Sequence, residues 1–110
     1  MYKDDCVFCQ IAQKKSKADI AYEDDSIVVF SSINPAADVH YLITPKSHVE
    51  TFMDLSDEVF LRMKAVAQKI ITEKDLKKAY KLIFNGGRFQ AIGHVHWHLL
   101  AGKFKEGIQT

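Results

Sequence analysis

Cysteine, proline and long apolar runs are all scarce in this sequence. The 110 residues include two cysteines and two prolines, too few cysteines for the disulfide framework that stabilises many small secreted domains. No apolar run approaches the roughly 20 residues that a membrane-spanning helix needs. The charged start, Met-Tyr-Lys-Asp-Asp, has no apolar stretch of a secretion signal behind it. We therefore expect a cytoplasmic protein that does not bind to or cross a membrane.

An excess of charge of either sign is also missing. Fifteen Lys and Arg residues balance 14 Asp and Glu residues, and the net charge is +1. Proteins that hold nucleic acids by electrostatic attraction are usually clearly basic. The hydrophobic fraction of 47% suffices for one core, and 110 residues leave little room for a second. The composition predicts a single domain over residues 1–110 and no nucleic-acid partner.

Short β-rich runs alternate with two helical segments. A short helix is predicted at residues 8–13, before a basic turn. A long amphipathic helix is predicted to begin after Ser56, whose side chain can cap it, and to end between Thr72 and Lys78. The predicted strands cover residues 20–22, 27–30, 40–44, 80–84 and 94–101. Hairpin-linked strands with one long helix indicate an α+β fold with an antiparallel sheet.

All five histidines fall in two short segments of the chain. His94, His96 and His98 alternate with apolar residues, and a strand would turn the three imidazoles to one face, with successive rings roughly 7 Å apart. One strand histidine is usually structural, but three in alternation are costly to bury without partners. A plain polar surface would more readily use Lys, Thr or Glu. The pattern therefore indicates a metal, an anion or a proton-transfer network.

The sequence resembles the histidine triad family over nearly its whole length. Residues 94–100, His-Val-His-Trp-His-Leu-Leu, match the family signature of three histidines separated by apolar residues. Residues 6–9 (Cys-Val-Phe-Cys), 21–25 and 40–48 (His-Tyr-Leu-Ile-Thr-Pro-Lys-Ser-His) resemble further family segments in the same order. The resemblance implies a five-stranded antiparallel sheet with one long helix and a short N-terminal helix. It also implies a two-fold homodimer formed through the helix and an edge strand.

The resemblance implies an enzyme, a nucleotidyl hydrolase or transferase acting at the α-phosphate of a nucleotide derivative such as a phosphoramidate or dinucleoside polyphosphate. In the family the middle histidine, here His96, attacks phosphorus to give a phosphohistidine. His98 then binds the phosphoryl oxygens or protonates the leaving group, and His40 joins His94 in the same network. The implied substrate contacts are Asn85, Gln90, Ser32, Ile33, Gly93 and Arg88.

The pair Cys6-x-x-Cys9 is a weak signal by itself, since it fits a redox pair, a metal site or inert thiols. No βαβ pattern surrounds it, which disfavours the redox role. Tetrahedral zinc needs four nitrogen or sulfur ligands. Zinc-bearing members of the family use the positions of His48 and His94 as the other two, so the resemblance implies a structural Zn²⁺ site.

Two positions depart from the family pattern. Ser32 stands where the family has an aspartate that accepts hydrogen bonds from both ribose hydroxyls, and Ala91 replaces a hydroxyl residue beside the phosphate. Loss of a hydrogen bond to a charged group costs on the order of 1.5–3 kcal/mol, so we expect weaker nucleoside binding or a different substrate. The loop before the triad is also shorter than usual, and Arg88 can compensate as a cationic contact or be an exposed loop residue.

Two other functions remain open at this point. The departures favour a zinc-stabilised nucleotide-binding or scaffold protein with vestigial catalysis. Alternatively, all three triad histidines could bind a catalytic zinc ion, and chelation would then abolish activity at once. The sequence does not define the substrate, the base preference or the pathway.

Overall fold

Five antiparallel strands form one sheet in the order β1-β2-β3-β5-β4. The computed structural model describes residues 2–105, so residues 1 and 106–110 of the predicted domain lie outside the described residues. The strands are β1 (Ile20–Glu23), β2 (Ile27–Ser31), β3 (Ala37–Pro45), β4 (Lys81–Ile83) and β5 (Trp97–Phe104). The predicted α+β fold, a five-stranded antiparallel sheet with one long and one short N-terminal helix, is confirmed.

The two helices begin close to their predicted starts. The short helix α1 covers Val7–Ala12, and Cys6 caps it, since the Cys6 Sγ accepts the backbone N–H of Cys9 at 3.5 Å. The long helix α2 covers Asp57–Glu73, and the Ser56 hydroxyl accepts the backbone N–H of Val59 at 3.2 Å. Such a cap satisfies one of the unpaired donors of the first turn. None of the helices in residues 2–105 has both the length and the apolar character needed to cross a membrane.

The predicted starts of the two strands β3 and β5 were wrong. β3 begins at Ala37, inside a segment predicted as loop, and β5 begins at Trp97 instead of position 94. In the register Ile43 opposes Trp97, so Val95 would oppose Pro45, which has no N–H to donate. The N–H of Val95 is instead donated to the carbonyl of Val49 at 2.7 Å. Residues 94–96 therefore precede the strand, and regular pairing begins at Trp97.

Both faces of the sheet are covered. β2 is buried on both sides, with alternate residues in two separate clusters, which explains its continuous apolar run. The cluster under α2 consists of Ile27, Val29, Ile43, Met63, Val66, Ala67, Ile70, Ile71, Val95, Trp97 and Leu99. The cluster under α1 consists of Cys6, Phe8, Cys9, Ile11, Ala12, Val28, Phe30 and Leu42. The histidines lie beside this second cluster.

Candidate functional site

The triad histidines lie on the sheet face that carries α1. Val95 and Trp97 pack beneath α2, so the histidine side chains that alternate with them point to the other face. Of the three triad histidines, only His98 belongs to β5. The rings of His96 and His98 have their centroids 5.1 Å apart, closer than the roughly 7 Å of regular strand spacing. Phe8 of α1 packs edge-on against the His96 ring, with centroids 5.1 Å apart. α1 therefore forms one wall of the histidine site.

The protonation of His96 follows from its hydrogen bond. Its Nδ1 lies 2.8 Å from the backbone carbonyl oxygen of His94, and because a carbonyl only accepts, Nδ1 carries the proton. Nε2 of the neutral ring then holds the lone pair. Among residues 2–105 the buried side-chain nitrogens without a partner are His48 Nε2 and Trp97 Nε1. His96 is 8% exposed, and its Nε2 has no hydrogen-bond partner among the described residues, so this lone pair is not used within the protein.

A second chain of hydrogen bonds determines the tautomer of His98. The backbone N–H of Ala36 is donated to His40 Nδ1 at 2.9 Å, so in the neutral His40 ring Nε2 carries the proton. His40 Nε2 lies 2.8 Å from His98 Nδ1, which must therefore accept. The remaining nitrogen of His98, Nε2, then carries a proton that it can donate to a ligand.

Burial keeps both members of this pair neutral. Burial, with smaller contributions from the neighbouring His96 and His40, lowers the pKa of His98 from 6.5 to about 4. Burial also lowers the pKa of His40. The hydrogen bonds from Ala36 to His40 and from His40 to His98 require both rings to be neutral, with one proton each.

Four possible metal ligands converge beside the triad, all within 4.8 Å of one another: Cys6, Cys9, His48 and His94. The His94 Nδ1 lies 3.3 Å from the Cys6 Sγ, and the His48 Nδ1 lies 3.3 Å from the Cys9 Sγ. On its other side, His94 Nε2 donates to the Pro45 carbonyl at 2.7 Å. Such a second bond orients a metal-binding imidazole. Two soft thiols and two imidazoles at this spacing fit a tetrahedral zinc ion.

An apolar cleft of about 220 Å³ opens between α1 and the β2–β3 connection. Two predicted contacts, Ser32 and Ile33, line it, and Phe8 joins it to the histidines. Sequence reasoning missed Leu42 and Lys17 as lining residues. Leu42 had a usable signal, because it lies two residues after His40 on β3 and so shares its face. The full lining is Val7, Phe8, Ile11, Lys17, Ala18, Phe30, Ser31, Ser32, Ile33, Leu42 and Ile92.

The remaining predicted contacts lie elsewhere. Gln90 donates both amide protons within the protein, to the carbonyls of Glu50 at 2.6 Å and Ile92 at 2.9 Å, which leaves no proton for a phosphate. The Arg88 guanidinium stacks over Phe89 at 4.9 Å. Asn85 is exposed. Gly93 lines a different cleft, beside His48 and the N-terminal segment.

Comparison with known proteins extends over nearly the whole chain. The family described as "Scavenger mRNA decapping enzyme C-term binding" matches residues 5–110. The purine nucleoside phosphoramidase of Escherichia coli is 34% identical over 106 residues, covering 91% of this chain and 89% of the relative.

Solved structures give the same result. A histidine triad protein from Clostridium difficile superposes with a TM-score of 0.89 at 33% identity, covering 99% of this chain and 100% of that one. A zinc-bound histidine triad family protein from Mycobacterium smegmatis has a TM-score of 0.82 at 28% identity, covering 96% and 80%. With the order of its motifs, its fold and these relatives in agreement, the chain belongs to the histidine triad family of hydrolases.

Proposed function

We propose that this protein hydrolyses a bond to the α-phosphate of a nucleotide derivative, such as a nucleoside phosphoramidate, with His96 as the nucleophile. The observation that carries this proposal is the unpaired lone pair on His96 Nε2, held in place by the bond from Nδ1 to the His94 carbonyl. A neutral imidazole with a fixed lone pair is a good nucleophile near neutral pH. The phosphoramidase relative makes a phosphoramidate the first substrate to test.

The proposed reaction has two displacements at phosphorus. In the first, His96 Nε2 forms a bond to the α-phosphorus while the bond to the leaving amine breaks, and the amine takes a proton from solvent as it departs. In the second, the oxygen of a water molecule forms a bond to phosphorus while the bond to the ring nitrogen breaks. The water returns a proton to solvent, the nucleoside monophosphate is released and His96 regains its neutral form. A transferase reaction would differ only in using another acceptor than water.

His98 is proposed to donate a hydrogen bond from its Nε2–H to the phosphoryl oxygens or the leaving group, because His40 holds its Nδ1 as an acceptor. Donors aimed at the charge that develops in the transition state are a major source of rate enhancement. The nucleoside is proposed to occupy the apolar cleft beside Ser32 and Ile33, since Phe8 contacts both this cleft and the His96 ring. Asn85, Arg88 and Gly93 would contact the phosphate only after the loop that carries them has moved.

We also propose that Cys6, Cys9, His48 and His94 hold a structural Zn²⁺ ion. The proposal rests on the convergence of the four donors and on the zinc-bound relative. His94 would then act as a ligand only, because Nδ1 faces the thiols and Nε2 is bonded to the Pro45 carbonyl. The ion would supply a cross-link between α1 and the segment before β5, leaving the phosphoryl chemistry to His96. A reducing compartment such as the cytoplasm would keep both thiols available.

A homodimer through α2 and the edge strand β4 is the third part of the proposal. β4 ends the sheet, and Leu61 and Leu82 are 58% and 41% exposed. The indole N–H of the buried Trp97 has no acceptor among residues 2–105. A second subunit would cover these apolar side chains and could supply that acceptor.

The test is to trap the nucleotidylated enzyme. Wild-type protein and His96→Ala would be mixed with adenosine phosphoramidate, quenched at alkaline pH to preserve a phosphohistidine, and analysed by mass spectrometry. We expect an adenylyl group on His96 in the wild type and neither label nor turnover in His96→Ala. Turnover that survives in His96→Ala would refute the nucleophile. Binding without turnover in the wild type would favour the scaffold function.

A further inference from the structure

The polar groups in the apolar cleft are all hydrogen-bond donors or are free to act as donors. Eight of its lining residues are apolar, and the other three are Lys17, Ser31 and Ser32. Within residues 2–105 no carboxylate lines this cleft. A cleft with this lining suits a flat apolar group that carries an acceptor-rich or anionic substituent.

Ser32 has its hydroxyl proton available. Its Oγ accepts the backbone N–H of Asn34 at 3.2 Å, and no acceptor among residues 2–105 takes the proton of this hydroxyl. One of the two lone pairs of the hydroxyl oxygen is used by this backbone donor, and the hydroxyl proton is available to a ligand in the cleft. A carboxylate at this position could only accept.

Lys17 adds a positive charge to the same cleft. Lys14 and Lys46 pair with Glu23, whereas the Lys17 ammonium has no carboxylate within ion-pair distance in the described part of the chain. One acidic residue lines the adjoining cleft that shares Ser31 and Ser32. That residue, Asp38, already accepts the backbone N–H of Lys103 at 2.9 Å.

We infer that the cleft selects a nucleoside whose ribose carries a phosphate monoester at the 2′ or 3′ position. This inference rests on the proposed function, in which the cleft holds the nucleoside of the substrate. The apolar walls would take the base, while the Ser32 hydroxyl and the Lys17 ammonium would bind the additional phosphate. Charge-assisted hydrogen bonds of this kind are about twice as strong as neutral ones.

Equilibrium binding tests this inference without requiring turnover. Calorimetry on the wild type would compare adenosine 5′-monophosphate with adenosine 3′,5′-bisphosphate and adenosine 2′,5′-bisphosphate, and the two bisphosphates distinguish the two positions. We expect one bisphosphate to bind about tenfold more tightly than the monophosphate, the size of one hydrogen bond to a charged group. Lys17→Ala should remove most of this preference, and Ser32→Asp should reverse it by repulsion.

Lys15→Ala is the matched control, because Lys15 lies in the same turn but does not line the cleft. Equal affinity for all three nucleotides in the wild type would overturn the inference. The inference would also be overturned if Lys15→Ala and Lys17→Ala reduced the preference for the bisphosphate equally, since the preference would then reflect general positive charge. Because these measurements need no chemistry at His96, failure of the proposed nucleophile would leave their outcome unchanged.

Discussion

His40 Nε2 lies 2.8 Å from His98 Nδ1, and through this bond a backbone N–H of Ala36 determines which nitrogen of His98 carries the proton. Without His40, the His98 ring would be free to move its proton to Nδ1 and leave a lone pair at Nε2. A lone pair cannot donate to a phosphoryl oxygen. In the proposed reaction we therefore expect His40 to act through His98.

His40→Phe should lower kcat by about 100-fold, the lower range for loss of one hydrogen-bond donor to the transition state, and change KM little. Steady-state kinetics on adenosine phosphoramidate would measure both constants. Tyr41→Phe is the control, since this neighbour on β3 packs on the opposite face of the sheet. A wild-type kcat in His40→Phe would show that the His98 tautomer needs no such support.

The depressed pKa of His98 predicts how stability depends on pH. The pKa is about 4 in the folded protein and near the ordinary 6.5 in the unfolded chain. Between these values the unfolded chain binds a proton that the folded chain does not. The free energy of unfolding must therefore fall as the pH drops from about 6.5 to about 4.

His98→Asn removes this titration, so its stability should decline less than that of the wild type over the same interval. Urea unfolding of both proteins at several pH values would give the difference. Other buried histidines titrate in both proteins, so only the difference between the two curves reports on His98. If the free energy of unfolding fell equally with pH in both proteins, the lowered pKa of His98 would be contradicted.

Much of the site was predictable because its residues share short, patterned segments. The alternation of His96 and His98 with apolar neighbours predicted a common face, and their rings do lie side by side. The four metal-ligand candidates were implied by the family resemblance and lie together. The start of β5 was not predictable from alternation, because it depends on Pro45 across the sheet.

Contacts made through the backbone could not be predicted from residue types. Nothing in the sequence indicates that Ala36 donates its N–H to His40, or that the Gln90 amide bonds to the Glu50 carbonyl. The basic turn at residues 14–17 predicted only solvated lysines. Which of them faces the cleft depends on the turn geometry, including the left-handed φ of 64° at Lys14.

Zinc removal should destabilise the fold before it affects the chemistry. An ion that binds only the folded state adds about 2.7 kcal/mol at 100 times its Kd, which for a domain of this size raises Tm by roughly 10–20 °C. We expect chelation, or Cys9→Ser, to lower Tm by that amount. Activity measured well below the new Tm should persist.

Metal analysis by mass spectrometry should find one zinc per chain in the wild type and little in Cys9→Ser. His40→Phe is a suitable control for this measurement, because His40 lies outside the four-ligand cluster and the variant should keep its zinc. Immediate loss of activity on chelation, with Tm unchanged, would point to a catalytic ion instead.

Leu82 tests the proposed dimer, because it lies at the centre of the edge strand β4 with 41% of its surface exposed. Burying a leucine contributes about 1.5–3 kcal/mol, and a two-fold interface contains the residue twice. Leu82→Glu should therefore weaken association by more than about 100-fold, since charged side chains would also be brought together.

Light scattering coupled to size-exclusion chromatography would follow the change from dimer to monomer. Lys15→Gln makes the same change in net charge in the turn after α1, on the opposite face of the sheet from α2, and should leave the dimer intact. A wild type that elutes as a monomer, or a Leu82→Glu variant that still dimerises, would exclude β4 as the interface. Because the histidine site lies on the face that carries α1, the monomeric variant should also retain its His96 chemistry.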